Sequence, residues 1–367
     1  MSDPRSADTP IAVVVLPGPG DLHAAEHDRV TRDAQAGRIA HLLNLPFADT
    51  GAITGPVFVV PSDTLSLDQA RTFGVVDASR IYGGVAPHAF VATKAVTHGL
   101  LHADATAPEG WNPRLAEALH DCVLAGWTAF SLEEAREAGL RLLESGPVRI
   151  KDVRATAGQG QTVVRTSAEL GAALAVRDPD EIARHGVVLE ENLVEPETLS
   201  VGTTWIGEHR IAYWGVQRFT ETPTGEVVYG GSDLQVSQGD YEDLLAFPLP
   251  DRARTAIALA RAYEDAVFAA YPSLLASRRN YDVILGRNAD GRSRAGVLEQ
   301  SWRIGGASGA EIAAIEAFQR DRSQRLVRSE TMEIRSADAP VPEGAALYYR
   351  GVDPDAGPLT KYARVLT

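Results

Sequence analysis

The stretch 147-PVRIKDVRATAGQGQTVV-164 runs from an apolar strand into a lysine, through a loop carrying Gly158 and Gly160, and back into an apolar strand. Lysine is scarce here. Of 35 Lys+Arg residues only Lys94, Lys151 and Lys361 are lysine; the rest are arginine. An ammonium is a compact point charge on a flexible stem, whereas guanidinium is a planar fork. Glycines let backbone N–H groups approach phosphate oxygens, because no Cβ stands in the way. Lys151 and its loop therefore read as a phosphate cradle. They read equally as a surface lysine before a hairpin turn, since the loop lacks the G-x-x-x-x-G-K-[ST] pattern.

Two later stretches carry carboxylates out of apolar strands. In 187-VVLEENLVEPETLSV-201 the strand runs into Glu190, with Leu193 and Glu197 beyond it. Charge at the end of a buried strand needs a partner. A nucleotide supplies one, with backbone beside Glu190 on the adenine edge and Glu197 on ribose hydroxyls. An acidic surface loop is the alternative. In 281-YDVILGRNADGRSRAGVLEQSWRIGG-306, Asp282 and Glu299 sit on two strands joined by an Asp-Gly turn. Two carboxylates facing each other beside a polyphosphate are how Mg²⁺ is commonly held. A solvated cross-strand acid pair is the alternative, although both acids interrupt apolar strands. Arg303 follows four residues after Glu299 and suits charge developing on a transferring phosphoryl group.

Taken in order, these stretches resemble the ATP-grasp superfamily of carboxylate–amine/thiol ligases. The matching segments are 148-VRIKDVRATAGQG-160, 187-VVLEENLVEPE-197, Asp282 and 299-EQSWR-303. A further one is 90-FVATKAVTHGLL-101, where the family places a second phosphate-contacting lysine and Lys94 fits. The likeness covers about residues 90–327 and extends to uncharacterised bacterial relatives. It implies an α/β and α+β fold: an N-terminal Rossmann-like (pre-ATP-grasp) domain over 11–92, then a two-subdomain ATP-grasp domain over 93–330. The lid/hinge subdomain would span about 125–195, its 152–162 loop closing over the phosphates, and 331–367 would be a C-terminal extension.

The resemblance also implies chemistry. ATP would be bound by Lys94, Lys151, Gly158, Gly160, Glu190, Leu193 and Glu197, with Lys151 and Arg303 catalytic. Mg²⁺ or Mn²⁺ would be held by Asp282 and Glu299. Ser301 stands where the family has asparagine and would be a weak third ligand; Asp152 stands where proline is frequent. The implied reaction activates a small-molecule carboxylate as an acyl phosphate for attack by an amine or thiol. The serine leaves open a non-catalytic ATP/ADP-binding protein on the same fold. A homodimer is compatible with either.

Composition narrows the rest. A net charge of −14 without a basic stripe excludes nucleic-acid backbone binding. The single Cys122 excludes an internal disulfide and a Cys-based zinc site, and fits a reducing cytoplasm. The polar start MSDPRSADTP reads as a disordered tail over 1–10 rather than a signal peptide. Without a run of about 18 apolar residues, no membrane span is expected.

Strands are expected at 11–16, 56–61, 186–190, 199–206 and 210–219, and helices at about 22–43, 63–74, 251–271 and 308–327. The pattern 23-HAAEH-27 matches H-x-x-E-H, so a zinc hydrolase using His23 and His27 is a third reading. His98 and His102 are also four apart. The segment 218-RFTETPTGEVVYGGSDL-234 is either a plain hairpin or an acceptor-site wall in which Arg218 grips a carboxylate.

Overall fold

The structure, a computed structural model, describes residues 9–18, 25–155, 160–221, 225 and 227–366, and every statement below concerns those residues. Gly158, His23 and most of the tail expected over 1–10 lie outside them.

The β-branched run near the start forms β1 (Val13–Leu16), followed by α1 (Glu26–Leu42) and β2 (Phe58–Pro61). β1 and β2 pair in parallel, Val13 opposite Phe58. Parallel neighbours require a crossover, which α1 supplies. A short strand β3 (Leu65–Ser66) leads into α2 (Leu67–Thr72). Ser66 and Gln69 close a reciprocal capping box at its start. β4 (Gly84–Ala86) then runs parallel to β3. This is the Rossmann-like unit the sequence led us to expect, although α1 begins at Glu26 rather than near residue 22.

A second layer contains α3 (Leu115–Leu119), β5 (Gly126–Ala129), α4 (Leu132–Leu143), β6 (Val148–Asp152), β7 (Gln161–Val164), α5 (Ser167–Ala175), α6 (Pro179–His185) and β8 (Val187–Glu191). Its four strands are ordered β5-β8-β6-β7, all antiparallel. Ser131 caps α4 by accepting from the Glu134 amide at 3.2 Å, as the Ser-then-acid pattern predicts. Ala135, Ala138 and Leu142 of α4 pack on Ile150 and Leu189.

The remainder builds one large antiparallel sheet. Its strands are β9 (Val194–Ile206), β10 (His209–Glu221), β11 (Val227–Gln238), β13 (Arg278–Arg287), β14 (Ser293–Ser301), β15 (Leu326–Ile334), β16 (Ala346–Asp353) and β17 (Gly357–Leu366). Helices α7 (Tyr241–Leu245), α8 (Asp251–Ala270) and α9 (Ser308–Arg320) connect them, and β12 (Leu275–Ala276) pairs with β4. The order is β14-β13-β9-β10-β11-β15-β17-β16. The segment after residue 330, read from sequence as a short extension, thus supplies the end of β15 and all of β16 and β17 to the main sheet.

The helix expected to reach residue 327 stops at Arg320. The Asp321 carboxylate accepts from the Ser323 amide at 3.0 Å, a local turn that outcompetes another helical turn.

Strand alternation gives this sheet two different faces. Leu199, Val201, Ala212, Tyr281 and Val283 face α8 and its Ile257, Ala260 and Tyr263. On the other face Ile206, Ile211, Tyr213 and Leu234 meet α9 and the N-terminal unit through Ile312, Ile315, Ile39 and Phe58. Further along that second face the apolar cover ends, and the polar residues of the candidate site begin.

Candidate active site

β13 lies between β9 and β14, so Asp282 is opposite Ser200 on one side and Glu299 on the other. Its Oδ1 accepts from Gln217 Nε2 at 2.8 Å and Ser200 Oγ at 3.3 Å. Burial, and then the charge of Glu299, push the Asp282 carboxyl up to about 6. The hydrogen bonds from Gln217 and Ser200 and one nearby ammonium offset this only in part. That ammonium is Lys94, whose Nζ lies 2.6 Å from Glu299 Oε2. Lys94 also donates to the carbonyl of Ala155, at the edge of the glycine-bearing loop. The sequence-expected residues Lys94, Asp282 and Glu299 are therefore brought together.

Lys151 sits in the other sheet. It is buried on β6, and its ammonium contacts Glu190 Oε1 on the neighbouring strand β8. The other oxygen of Glu190 is 3.2 Å from His98 Nε2. All three side chains are at most 2% exposed. Burial alone would raise the Glu190 pKa. The adjacent Lys151 and the His98 hydrogen bond reverse this and hold it at about 2. The Glu190 side chain thus faces an internal cation.

Other expected positions vary. Gly160 has φ +64, and a Cβ there would stand 2.6 Å from the Ala155 Cβ, so glycine is required where the loop returns. Leu193, between β8 and β9, is buried with Leu124 and Ile284 in a small apolar cluster. Glu197 is half-exposed, its Oε1 3.5 Å from Arg252 Nε. Ser301 follows Glu299 by two on β14 and so lies on the same side of the strand. Arg303 is half-buried just past that strand, donating to the Ile304 carbonyl at 3.0 Å.

Arg218 differs from its reading as a ligand grip. It donates to Asp233 Oδ2 at 3.1 Å through Nε and lies 3.6 Å from Glu330, so the protein's own carboxylates engage it.

Of the zinc reading's two histidines, His23 lies outside the described residues and only His27 can be placed. α1 starts at Glu26, and His27 Nδ1 is 3.0 Å from Asp28 Oδ1. His98 and His102 diverge, His102 lying 3.1 Å from Glu137. Among the described residues no cluster of three or more His, Cys, Asp or Glu is placed to hold a metal. Asp282 and Glu299 offer the all-oxygen donors a hard cation takes, and their excess negative charge fits one. With two carboxylates, the rest of the shell would have to come from phosphates and water.

Sequence reading had missed Gln217, Ser200 and the role of His98. It had also missed Gln300, which donates to the carbonyls of Val91 and Thr93 at 2.9 Å and so fastens the Lys94 segment to β14.

Comparison with solved structures shows the ATP-grasp fold. The chain is similar to a carboxyaminoimidazole ribonucleotide synthase from Aspergillus clavatus complexed with ATP. The TM-score is 0.51 at 12% identity, over 97% of this chain and 94% of that one. It is likewise similar to a phosphoribosylamine–glycine ligase from Thermotoga maritima, with TM-score 0.52 at 14% identity, over 97% and 92%. An N5-carboxyaminoimidazole ribonucleotide synthetase in complex with ADP gives 0.50 at 13%, over 97% and 93%. The chain belongs to the family described as "Protein of unknown function (DUF3182)", whose model matches residues 15–363. No protein of curated function matches it in sequence.

Proposed function

We propose that this protein is an ATP- and Mg²⁺-dependent ligase that activates a substrate carboxylate as an acyl phosphate. The observation that carries the reading is the Lys94 ammonium on Glu299, next to Asp282 on the adjoining strand. A cation and a carboxylate pair at one place are what transfer of a phosphoryl group requires. Two of the solved structures named above, one complexed with ATP and one with ADP, support nucleotide as the ligand.

Lys94 and Lys151 hold phosphate oxygens, and the returning loop at Gly160 helps to exclude water. Mg²⁺ or Mn²⁺, held by Asp282 and Glu299 with Ser301 as a weak further ligand, would neutralise phosphate charge. A carboxylate oxygen of the substrate attacks the γ-phosphorus, and the bond to the β,γ-bridging oxygen breaks to leave ADP. Arg303 stabilises charge on the transferring group. An amine or thiol then attacks the acyl carbon, phosphate departs, and the nucleophile's proton goes to solvent. Most of the rate comes from positioning and electrostatics.

The test supplies ATP, Mg²⁺ and panels of small carboxylates with amine or thiol acceptors, and measures ADP. Lys151→Ala and Glu299→Ala should abolish ADP formation in folded protein. Full activity in Glu299→Ala would sink the metal assignment. A second reading rests on Ser301: a weak ligand at that position suits a protein that binds ATP or ADP without turning it over. Tight nucleotide binding with no ADP formed from any pair would favour it.

A further inference from the structure

β14 ends at Ser301, and the three residues that follow Gln300 are tied by their carbonyls. The Ser301 carbonyl accepts from Arg278 Nη1 at 3.4 Å. The Trp302 carbonyl accepts from Thr64 Oγ1 of the N-terminal unit at 3.3 Å. The Arg303 carbonyl accepts from the same Arg278 Nη1. Backbone leaving a strand edge normally bonds to water or a turn, so three consecutive carbonyls bonded by two side chains, Arg278 and Thr64, mark one fixed conformation.

Arg278 is itself held. It is 1% exposed, and its Nε donates to both oxygens of Glu311 on α9 at 3.1 and 3.0 Å, with Nη2 at 2.7 Å. The fully buried Glu311 also accepts from Tyr82 at 2.7 Å, Tyr213 at 2.8 Å and Thr204 at 3.0 Å. Every side of that carboxylate is satisfied, so the guanidinium has one orientation and its remaining edge points at the Ser301–Arg303 backbone. Gly84 completes the clamp: a Cβ there would come within 2.8 Å of the Trp302 Cβ.

We propose that Arg278, locked by Glu311, is a positioning residue that fixes the Ser301–Arg303 segment and so aims Arg303 at the transferring phosphoryl group. This rests on the ligase reading above. A planar fork suits the task because two of its edges serve two partners at once, which an ammonium cannot reproduce. Tyr82 brings the N-terminal unit into the same node, so that unit and the large sheet jointly define where Arg303 begins.

The test compares binding of ADP and of a non-hydrolysable ATP analogue, both with Mg²⁺, in wild type, Arg278→Lys, Arg303→Ala and their combination. Arg278→Met/Glu311→Leu serves as a variant that leaves no buried charge unpaired. Arg278→Lys should keep ADP affinity but lose about tenfold in preference for the analogue, a typical size for one misplaced contact of this kind. Arg303→Ala should show the same loss, and the combination should add nothing further. A loss shared equally by ADP and analogue marks a merely structural role and overturns the inference. So does an unchanged preference in both Arg278 variants. If the wild type binds neither nucleotide, the ligase reading fails and takes this inference with it.

Discussion

Glu190→Gln keeps the shape of the side chain and removes its charge, leaving the Lys151 ammonium buried against a neutral amide. Two independent estimates give the cost. A carboxyl held at about 2 rather than its ordinary 4.5 corresponds to about 3 kcal/mol of folded-state stabilisation at neutral pH. Removing one partner of a buried ion pair costs roughly 3–5 kcal/mol. The expected loss is therefore about 3 kcal/mol, or about a hundredfold in local opening. Native-state hydrogen exchange of the β6 and β8 amides reads it directly, with urea unfolding as a second measure.

The pH dependence has a fixed sign. The folded pKa is depressed, so the stabilisation is present above 4.5 and is lost as pH falls through about 2. The gap between wild type and variant should be level from pH 7 to about pH 5, and should close on further acidification. Lys151→Met/Glu190→Leu, which removes both charges, should regain most of the lost stability. A loss below about 1 kcal/mol in Glu190→Gln would refute the reasoning, because it would place the carboxylate among weakly coupled surface charges.

Other expectations follow from the same geometry. Asp282→Asn removes a buried carboxylate that burial, and then the facing charge of Glu299, raise to about 6. It should melt above wild type at pH 8 without divalent cation, the advantage fading as pH falls toward 3.8. Added Mg²⁺ should no longer stabilise the nucleotide complex of that variant, as thermal shift would show. Gly160→Ala strains a left-handed backbone and drives a methyl against Ala155, so it should cost about 1–2 kcal/mol and weaken nucleotide binding; calorimetry reads both. Cys122 is buried with its thiol pushed up to about 12, so it should resist a disulfide reagent at pH 8 until the chain is unfolded.

Local sequence carried the elements whose signals are short-range. The Ser131 cap, the Asp-Gly turn between β13 and β14 and the run over β1 are each written within a few neighbouring residues, and the structure has them. Boundaries failed where a turn competed with a helix, as after Arg320. The strands β16 and β17 fell within the segment read only as a C-terminal extension, because Pro, Gly and Asp break their pattern. What stabilises them is pairing across the sheet, Thr331 opposite Ala363 and Leu347 opposite Tyr362, and no local window contains such pairs.

The candidate site shows the same division more sharply. Lys151, Asp282 and Glu299 were legible as charges beside or within apolar runs and Lys94 through the resemblance, and the facing of Asp282 and Glu299 was expected, but the carboxylate partner of each lysine was not. His98 is the instructive case. Its spacing from His102 suggests a shared helical face, yet Lys94–Thr97 is a 3-10 turn and His98 itself is extended, with φ −121 and ψ 157. An i, i+4 pair has no common face on such backbone. His98 points instead to Glu190 in the smaller sheet, while Lys94, four residues earlier, points to Glu299 in the larger one. Thr128 Oγ1 donates to the Ala95 carbonyl between them at 2.8 Å, and Gln300 holds the carbonyls of Val91 and Thr93. One short segment is thus fastened to both sheets and supplies a charged or polar side chain to each carboxylate centre. Such a tie makes the spacing between the Lys151 and Glu299 centres a property of the 91–99 backbone, so a substitution that loosens that backbone should disturb both centres together.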